Sequence, residues 1–131
     1  MRIEHVALWV NDLERSRAFY VRYFGAKAGE KYLNPNTGFA SYFLSFESGA
    51  RLELMQRTTA PEKKRAEADE PLGYAHLALG VGDAASVDAL TQLLASASVP
   101  VLSGPRRTGD GYYESVVLDP EGNRIEIVAD S

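Results

Sequence analysis

Two stretches of the chain repeat one pattern, and this internal repeat constrains the fold more than any other feature. Each is an alternating apolar run that contains a histidine, with an aspartate seven positions after it; the stretches are residues 3–12 (IEHVALWVND) and residues 74–83 (YAHLALGVGD). Alternation of this kind indicates a β-strand. His5 and His76 are the only two histidines of the chain. The repeat predicts two related modules.

The same plan of elements follows each histidine. In the first module, Asn11 or Asp12 can cap a helix that ends at Gly25, and in the second, Asp83 can cap a helix with an apolar stripe. Three strand-like runs then follow in each module; they are residues 27–33, 39–47 and 51–56, and residues 99–104, 112–118 and 124–128. Pro100 and Pro105 place the run 99–104 at a sheet edge.

These elements predict an α+β fold of two modules, each with the order strand, helix, three strands. A chain of 131 residues fits one domain. We expect module one at residues 1–56, a linker at residues 57–72 that is rich in charge and bounded by prolines, and module two at residues 73–131.

Composition excludes several classes of protein. A net charge of -4 gives no electrostatic footprint for nucleic acid. No apolar run approaches the roughly 20 residues of a membrane span. The chain has no cysteine, which rules out disulfides and thiolate metal sites. We therefore expect a cytoplasmic protein with no nucleic-acid or membrane partner.

A glutamate interrupts the last strand of each module. Glu53 follows His5 by 48 positions, and Glu126 follows His76 by 50. Each glutamate lies between large aliphatic residues, where burial without a partner is costly. A solvent-facing strand would explain one glutamate, and core packing would explain one histidine. The repeated pairing favours a different interpretation: two imidazoles and two carboxylates supply four ligand atoms for a divalent metal.

The chain resembles the vicinal oxygen chelate superfamily, which has the glyoxalase/bleomycin resistance/dioxygenase fold, and within it glyoxalase I (lactoylglutathione lyase). The resemblance runs nearly end to end. It rests on the histidine-led strand, the helix start DLERS, the FY and FG pairs of that helix, and the ending DPEGNRIE at residues 119–126. It implies two βαβββ modules whose strands form an open, curved mixed β-sheet barrel around a metal ion.

The resemblance also implies the ligands and the chemistry. The ligand set would be His5, Glu53, His76 and Glu126, holding Zn, Ni, Co, Mn or Fe. The activity would be that of a metal-dependent lyase or isomerase, with metal-stabilised enediolate proton transfer and Glu126 as the catalytic base. Its substrate would be a small oxygenated molecule or its thiol adduct. A homodimer is expected by the same resemblance, with the modules pairing within one chain or across the dimer.

Four residues are candidates for substrate binding: Trp9, Phe43, Tyr112 and Arg107. Bacterial glyoxalase I commonly has a glutathione-binding arginine where this chain has Trp9. The favoured interpretation of Trp9 is a core aromatic, with a stacking platform as the alternative. Arg107 could receive an anionic group, although an exposed loop is the simpler interpretation. This departure leaves the substrate, and its link to glutathione, open.

Two other functions are compatible with the same fold. A dioxygenase of the superfamily would use redox-active Fe or Mn with two histidines and one glutamate, and Glu53 as an extra ligand argues against it. A non-catalytic resistance protein would sequester a drug in the cleft and would usually lack the metal ligands. The identity of the metal is not readable from imidazole and carboxylate donors.

Overall fold

The computed structural model describes residues 1–57 and 72–130, and the chain divides into two compact units, Met1–Lys63 and Lys64–Ser131. The predicted linker lies outside the described residues, apart from its terminal positions 57 and 72. The assignment of one domain with that linker stays a prediction. Within the described residues, neither helix is long and apolar enough to cross a membrane.

The first unit contains one helix and five strands. Its elements are β1 (His5–Trp9), α1 (Leu13–Phe24), β2 (Lys27–Ala28), β3 (Tyr32–Leu33), β4 (Ala40–Ser45) and β5 (Arg51–Gln56). The strands form one sheet in the order β1-β5-β4-β2, with β3 also paired to β4. β1 is parallel to β5, and the other pairs are antiparallel.

The second unit contains one helix and four strands. Its elements are β6 (His76–Gly80), α2 (Ala84–Ser96), β7 (Val101–Arg107), β8 (Tyr113–Leu118) and β9 (Arg124–Val128). The sheet order is β6-β9-β8-β7, and β6 is parallel to β9. Among the described residues, two helices and nine strands in two mixed sheets follow the repeated plan that the sequence predicts, except that one predicted strand of the first unit is divided in two.

The helix caps are those predicted. Asp12 accepts a hydrogen bond from the Arg15 amide at 3.0 Å, which satisfies a free donor of the first turn of α1. Gly25 ends α1 in the left-handed conformation at φ 65°, which costs glycine no steric strain. Asp83 caps α2 in the same way, accepting from the Ser86 amide at 2.9 Å.

Each helix covers one face of its own sheet. In the first unit, α1 buries apolar residues against β4 and β5; in the second, α2 does so against β7, β8 and β9. The fully buried strand residues include Leu44 and Leu54 in the first unit, and Val117, Ile125 and Ile127 in the second. Because side chains alternate across a strand, Glu53 and Glu126 belong to the opposite face of their sheets.

The predicted strand 27–33 is wrong as a single element. It forms two strands of two residues each, β2 and β3, both antiparallel to β4. Lys27 pairs with Ser45, whereas Tyr32 pairs with Ser41, so the register shifts by one residue between them. An extra residue in one strand interrupts the ladder in this way.

The predicted strand 99–104 has the wrong bounds, although its edge position is confirmed. β7 continues through Gly104 and Pro105 because two register shifts accommodate them. Gly104 has φ 81°, and a Cβ there would lie 2.5 Å from the Glu114 carbonyl oxygen. Glycine therefore permits the close approach of β7 to β8.

Candidate metal centre

The first module brings His5 and Glu53 together. β1 and β5 are parallel, with Ala7 opposite Glu53, so His5 and Glu53 project from the same sheet face. His5 Nε2 lies 3.7 Å from Glu53 Oε1. The Phe43 ring meets the imidazole edge-on with centroids 5.3 Å apart, and Phe43 pairs with Glu53 across β4 and β5. We call His5 and Glu53 the first pair.

The second nitrogen of His5 is also bound. Nδ1 donates to Glu4 Oε2 at 2.5 Å, and the Arg51 guanidinium donates to the other oxygen of Glu4. The hydrogen bonds from His5 and Arg51 lower the pKa of Glu4 below its usual value of 4.5. The Arg51 guanidinium also lies over the Phe43 ring, 4.2 Å from its centroid. The imidazole is therefore held through one nitrogen while the other faces Glu53.

The second module repeats the arrangement with His76 and Glu126, the second pair. β6 and β9 are parallel, with Ala78 opposite Glu126, as Ala7 is opposite Glu53. His76 Nε2 lies 3.2 Å from Glu126 Oε2. Equivalent strands in equivalent register thus produce the same juxtaposition twice.

Burial and neighbouring acidic residues raise the pKa of the Glu126 carboxyl. Burial of its carboxyl raises the pKa above 4.5, His76 opposes this, and Glu114 and Asp110 raise it further. Val116 of β8 pairs with Glu126. Because side chains two positions apart on a strand share a face, Glu114 projects from the same sheet face as Glu126. Glu114 Oε2 is buried and forms no hydrogen bond with the residues that the structure describes. Two half-buried carboxyl groups on one sheet face, with the exposed Asp110 nearby, fit a cation.

The donor separations test whether a metal fits these residues. Two donors at about 2.1 Å from one divalent ion, subtending about 90–110°, lie roughly 3.0–3.4 Å apart. The second pair, at 3.2 Å, is within that range, and the first pair, at 3.7 Å, is slightly wider. Imidazole nitrogen and carboxylate oxygen are both ordinary ligands of divalent transition metals. The second pair therefore fits two positions of a metal coordination shell, whereas the first pair, at 3.7 Å, lies outside that range.

Within residues 1–57 and 72–130, no group of three or more histidine or acidic side chains is arranged to hold a metal ion. Each module contributes two donors. The convergence of all four predicted ligands on one ion stays a prediction, as does the catalytic role of Glu126.

Trp9 is not a core residue, so the favoured interpretation from sequence is wrong. It follows His5 by four positions on the same face of β1, and 45% of it is exposed. Its ring meets Phe39 edge-on at 6.1 Å, and the Arg57 guanidinium lies 4.4 Å from its centroid. Alternation predicts which face Trp9 occupies but not whether another layer covers that face.

Arg107 and Tyr112 flank a turn at the end of β7. Arg107 is the last residue of that strand, not part of a loop as expected, and it donates to the Gly111 carbonyl at 3.1 Å. Tyr112 is exposed, and its carbonyl accepts from the Thr108 amide at 2.7 Å. Their role in substrate binding stays a prediction.

Sequence reasoning missed two residues of these environments. Glu4 directly precedes His5, which was a visible signal, but the rotamer that brings its carboxylate to Nδ1 depends on Arg51 in another strand. Glu114 lies on the strand next to that of Glu126. Only the β8–β9 register shows that the two side chains share a sheet face and lie close together. Neither register nor rotamer is encoded locally.

Known proteins resemble this chain in sequence and in fold. A family model described as the Glyoxalase/Bleomycin resistance protein/Dioxygenase superfamily matches residues 2–127. The lactoylglutathione lyase of Haemophilus influenzae is 30% identical over 132 residues, covering 98% of this chain and 92% of that protein. The trypanothione-dependent glyoxalase I of Leishmania major is 29% identical with a TM-score of 0.76, covering 98% and 86% of the two chains.

A structure from Frankia sp. EAN1pec, a glyoxylase/bleomycin resistance protein/dioxygenase domain, shares the fold with a TM-score of 0.81 at 18% identity, covering 100% of this chain and 98% of that one. It confirms the fold class that the sequence predicts. With the match of the family model over nearly the whole chain, these findings establish that the chain belongs to the Glyoxalase/Bleomycin resistance protein/Dioxygenase superfamily.

Proposed function

We propose that this chain is a metal-dependent lyase or isomerase of glyoxalase I type. The carrying observation is the doubled histidine–glutamate pair, with Nε2 and a carboxylate oxygen 3.7 Å apart in one module and 3.2 Å apart in the other. Relatives named lactoylglutathione lyase, about 30% identical over nearly the whole chain, support the same activity.

His5, Glu53, His76 and Glu126 are the proposed ligands of one divalent ion, which would be Zn, Ni, Co, Mn or Fe. When bound, such an ion supplies Lewis-acid polarisation of neighbouring substrate oxygens. The presence of Glu53 beside His5 favours this four-ligand arrangement over the two-histidine, one-glutamate arrangement expected of a dioxygenase.

Glu126 is the proposed proton carrier. In the metal-free protein, burial and the nearby Glu114 and Asp110 raise its pKa, and a carboxylate of higher pKa is a stronger base. It takes a proton from one substrate carbon and returns it to the neighbouring carbon. One C–H bond breaks and another forms, and the hydroxyl proton of the hemithioacetal moves to the oxygen of the neighbouring carbonyl. A hemithioacetal therefore becomes a thioester with no change in composition and no redox cofactor.

The proposed substrate is a small α-oxo aldehyde joined to a thiol. The exposed Trp9 and the half-buried Phe43 lie on the same sheet face as the first pair and are proposed to contact it, together with Arg107 and Tyr112 of the second module. An aromatic residue in place of an arginine at position 9 favours a less anionic thiol carrier than glutathione. A homodimer and a cytoplasmic location remain part of the proposal.

The test is re-metallation of the metal-free protein. Elemental analysis of the purified protein should find about one divalent ion per set of four ligands. The chelated protein should regain activity on the adduct of methylglyoxal with glutathione or another low-molecular-weight thiol when Zn²⁺, Ni²⁺ or Co²⁺ is added. Glu126→Gln should abolish that activity, and the exposed control Glu47→Gln should not. Metal-independent activity, or no metal binding, would refute the proposal.

A further inference from the structure

Glu4 and Arg51 form a unit around His5. Glu4 Oε2 accepts from His5 Nδ1 at 2.5 Å, and the Arg51 guanidinium donates to Glu4 Oε1. Arg51 is itself fixed: it is the register partner of His5 on β5, and its guanidinium lies 4.2 Å from the Phe43 ring centroid. The Arg51 amide also donates to the Glu4 carbonyl at 2.9 Å. Backbone, ion pair and ring contact therefore hold the carboxylate in place.

This contact selects one form of the imidazole. A neutral histidine carries its proton on either Nδ1 or Nε2, and an ionised carboxylate can only accept. The contact with Glu4 therefore requires the proton on Nδ1 and leaves the lone pair on Nε2, the nitrogen 3.7 Å from Glu53. A carboxylate behind a ligating histidine also fixes the ring orientation and raises the basicity of the free nitrogen.

The second module lacks the carboxylate. Arg124 is the register partner of His76, as Arg51 is of His5, but Ala75 occupies the position equivalent to Glu4. Alanine has no side chain that can accept from Nδ1. The unit is therefore a property of the first module, not a requirement of the repeated fold.

We infer that Glu4, held by Arg51, is a positioning residue that fixes the tautomer and ring orientation of His5 and so presents Nε2 on the side of Glu53. Its consequence for metal binding rests on the proposed function, because that function makes His5 a ligand. The effect of Glu4 on the tautomer of the His5 imidazole does not depend on the proposed function.

The first measurement is ¹⁵N NMR of the imidazoles in the metal-free protein. His5 should be in the form protonated on Nδ1 in the wild type, and Glu4→Leu should shift it toward the form protonated on Nε2. Glu4→Gln keeps an acceptor and should retain most of the Nδ1-protonated form. The matched control Glu47→Gln should change nothing. Wild-type His5 protonated on Nε2, or no change in Glu4→Leu, would overturn the inference.

The second measurement is titration of the same variants with Zn²⁺. Loss of a carboxylate behind a ligating histidine should weaken affinity about 10- to 100-fold, with Glu4→Gln weakened less than Glu4→Leu. If the wild type binds Zn²⁺ and every variant binds it with the same affinity, the inference is overturned. If the wild type binds no metal, the proposed function fails, and the tautomer measurement still decides the role of Glu4.

Discussion

The first and second modules share a scaffold but differ around their paired donors. Both place a histidine and a glutamate on the sheet face opposite the helix, through the same parallel register. In the first module, Glu4 and Arg51 bind the far side of the imidazole. In the second module, burial, Glu114 and Asp110 raise the pKa of the carboxyl of the pair, Glu126. The difference agrees with the proposal that one copy supplies a rigid ligand and the other a reactive one.

The largest expected effect separates the two glutamates. Glu126→Gln should lower kcat about 100- to 10,000-fold even at saturating metal, because a general base contributes that range. Glu53→Gln should chiefly weaken metal binding, with much of the activity recovered when metal is added. Steady-state kinetics over a metal titration measures both effects. Equal losses of kcat in the two variants would remove the proposed division of roles.

Core substitutions should show that the two scaffolds are alike. Leu54 in β5 and Ile127 in β9 are both fully buried against their helices. Leu54→Ala and Ile127→Ala should each cost about 2–5 kcal/mol of unfolding free energy, since each removes several buried methyl and methylene groups. Urea unfolding of the metal-free protein measures this, and the exposed Leu93→Ala serves as the control, within about 0.5 kcal/mol of the wild type. A large cost in one module only would contradict the comparison.

The pH dependence of stability should have opposite signs at Glu126 and Glu4. The pKa of Glu126 is raised by burial, so the native metal-free protein holds that proton longer than the unfolded chain, and its contribution falls as pH rises from 4.5 through the raised pKa. The pKa of Glu4 is lowered by His5 and Arg51, so its contribution is present above pH 4.5 and is lost as pH falls through the lowered pKa.

Melting temperatures of the metal-free variants test these signs. At pH 7, Glu126→Gln should melt above the wild type and Glu4→Gln below it. The first difference should shrink as the pH falls toward 4.5, and the second as the pH falls below 4.5. A stabilising Glu4→Gln would show that the contacts with His5 and Arg51 do not favour the ionised carboxylate.

The smallest expected effect comes from copying the unit into the second module. Ala75→Glu places a carboxylate before His76, whose register partner is Arg124. The Nδ1-protonated form of His76 should become more populated, and Zn²⁺ affinity should rise a few-fold. The ¹⁵N spectrum and the metal titration measure both. An unchanged His76 tautomer would show that the first module depends on more than these equivalent positions.

Much of this architecture was predictable from local pattern. Alternation around Glu53 and Glu126 assigned β5 and β9 with their observed bounds, and Asp12 and Gly25 marked the ends of α1. The chemical types of the four predicted ligands were also visible, since charged residues inside apolar strands demand a partner.

The rest depended on contacts distant in sequence. The split of residues 27–33 arises from a register shift against β4, which no local pattern encodes. The exposure of Trp9 depends on what covers its sheet face, and the role of Glu4 depends on an arginine 47 positions away. Tertiary pairing decided each of these outcomes, so they required the structure.

The position of Trp9 has a practical consequence, since it is the only tryptophan of the chain. Its indole is half-exposed, four residues from His5 on the same strand face, with a guanidinium over the ring. Indole emission responds to changes in solvent contact and nearby charge, so the protein carries its own fluorophore beside the first pair. Intrinsic fluorescence, without any label, is therefore suited to following the arrival of small molecules at this face in real time.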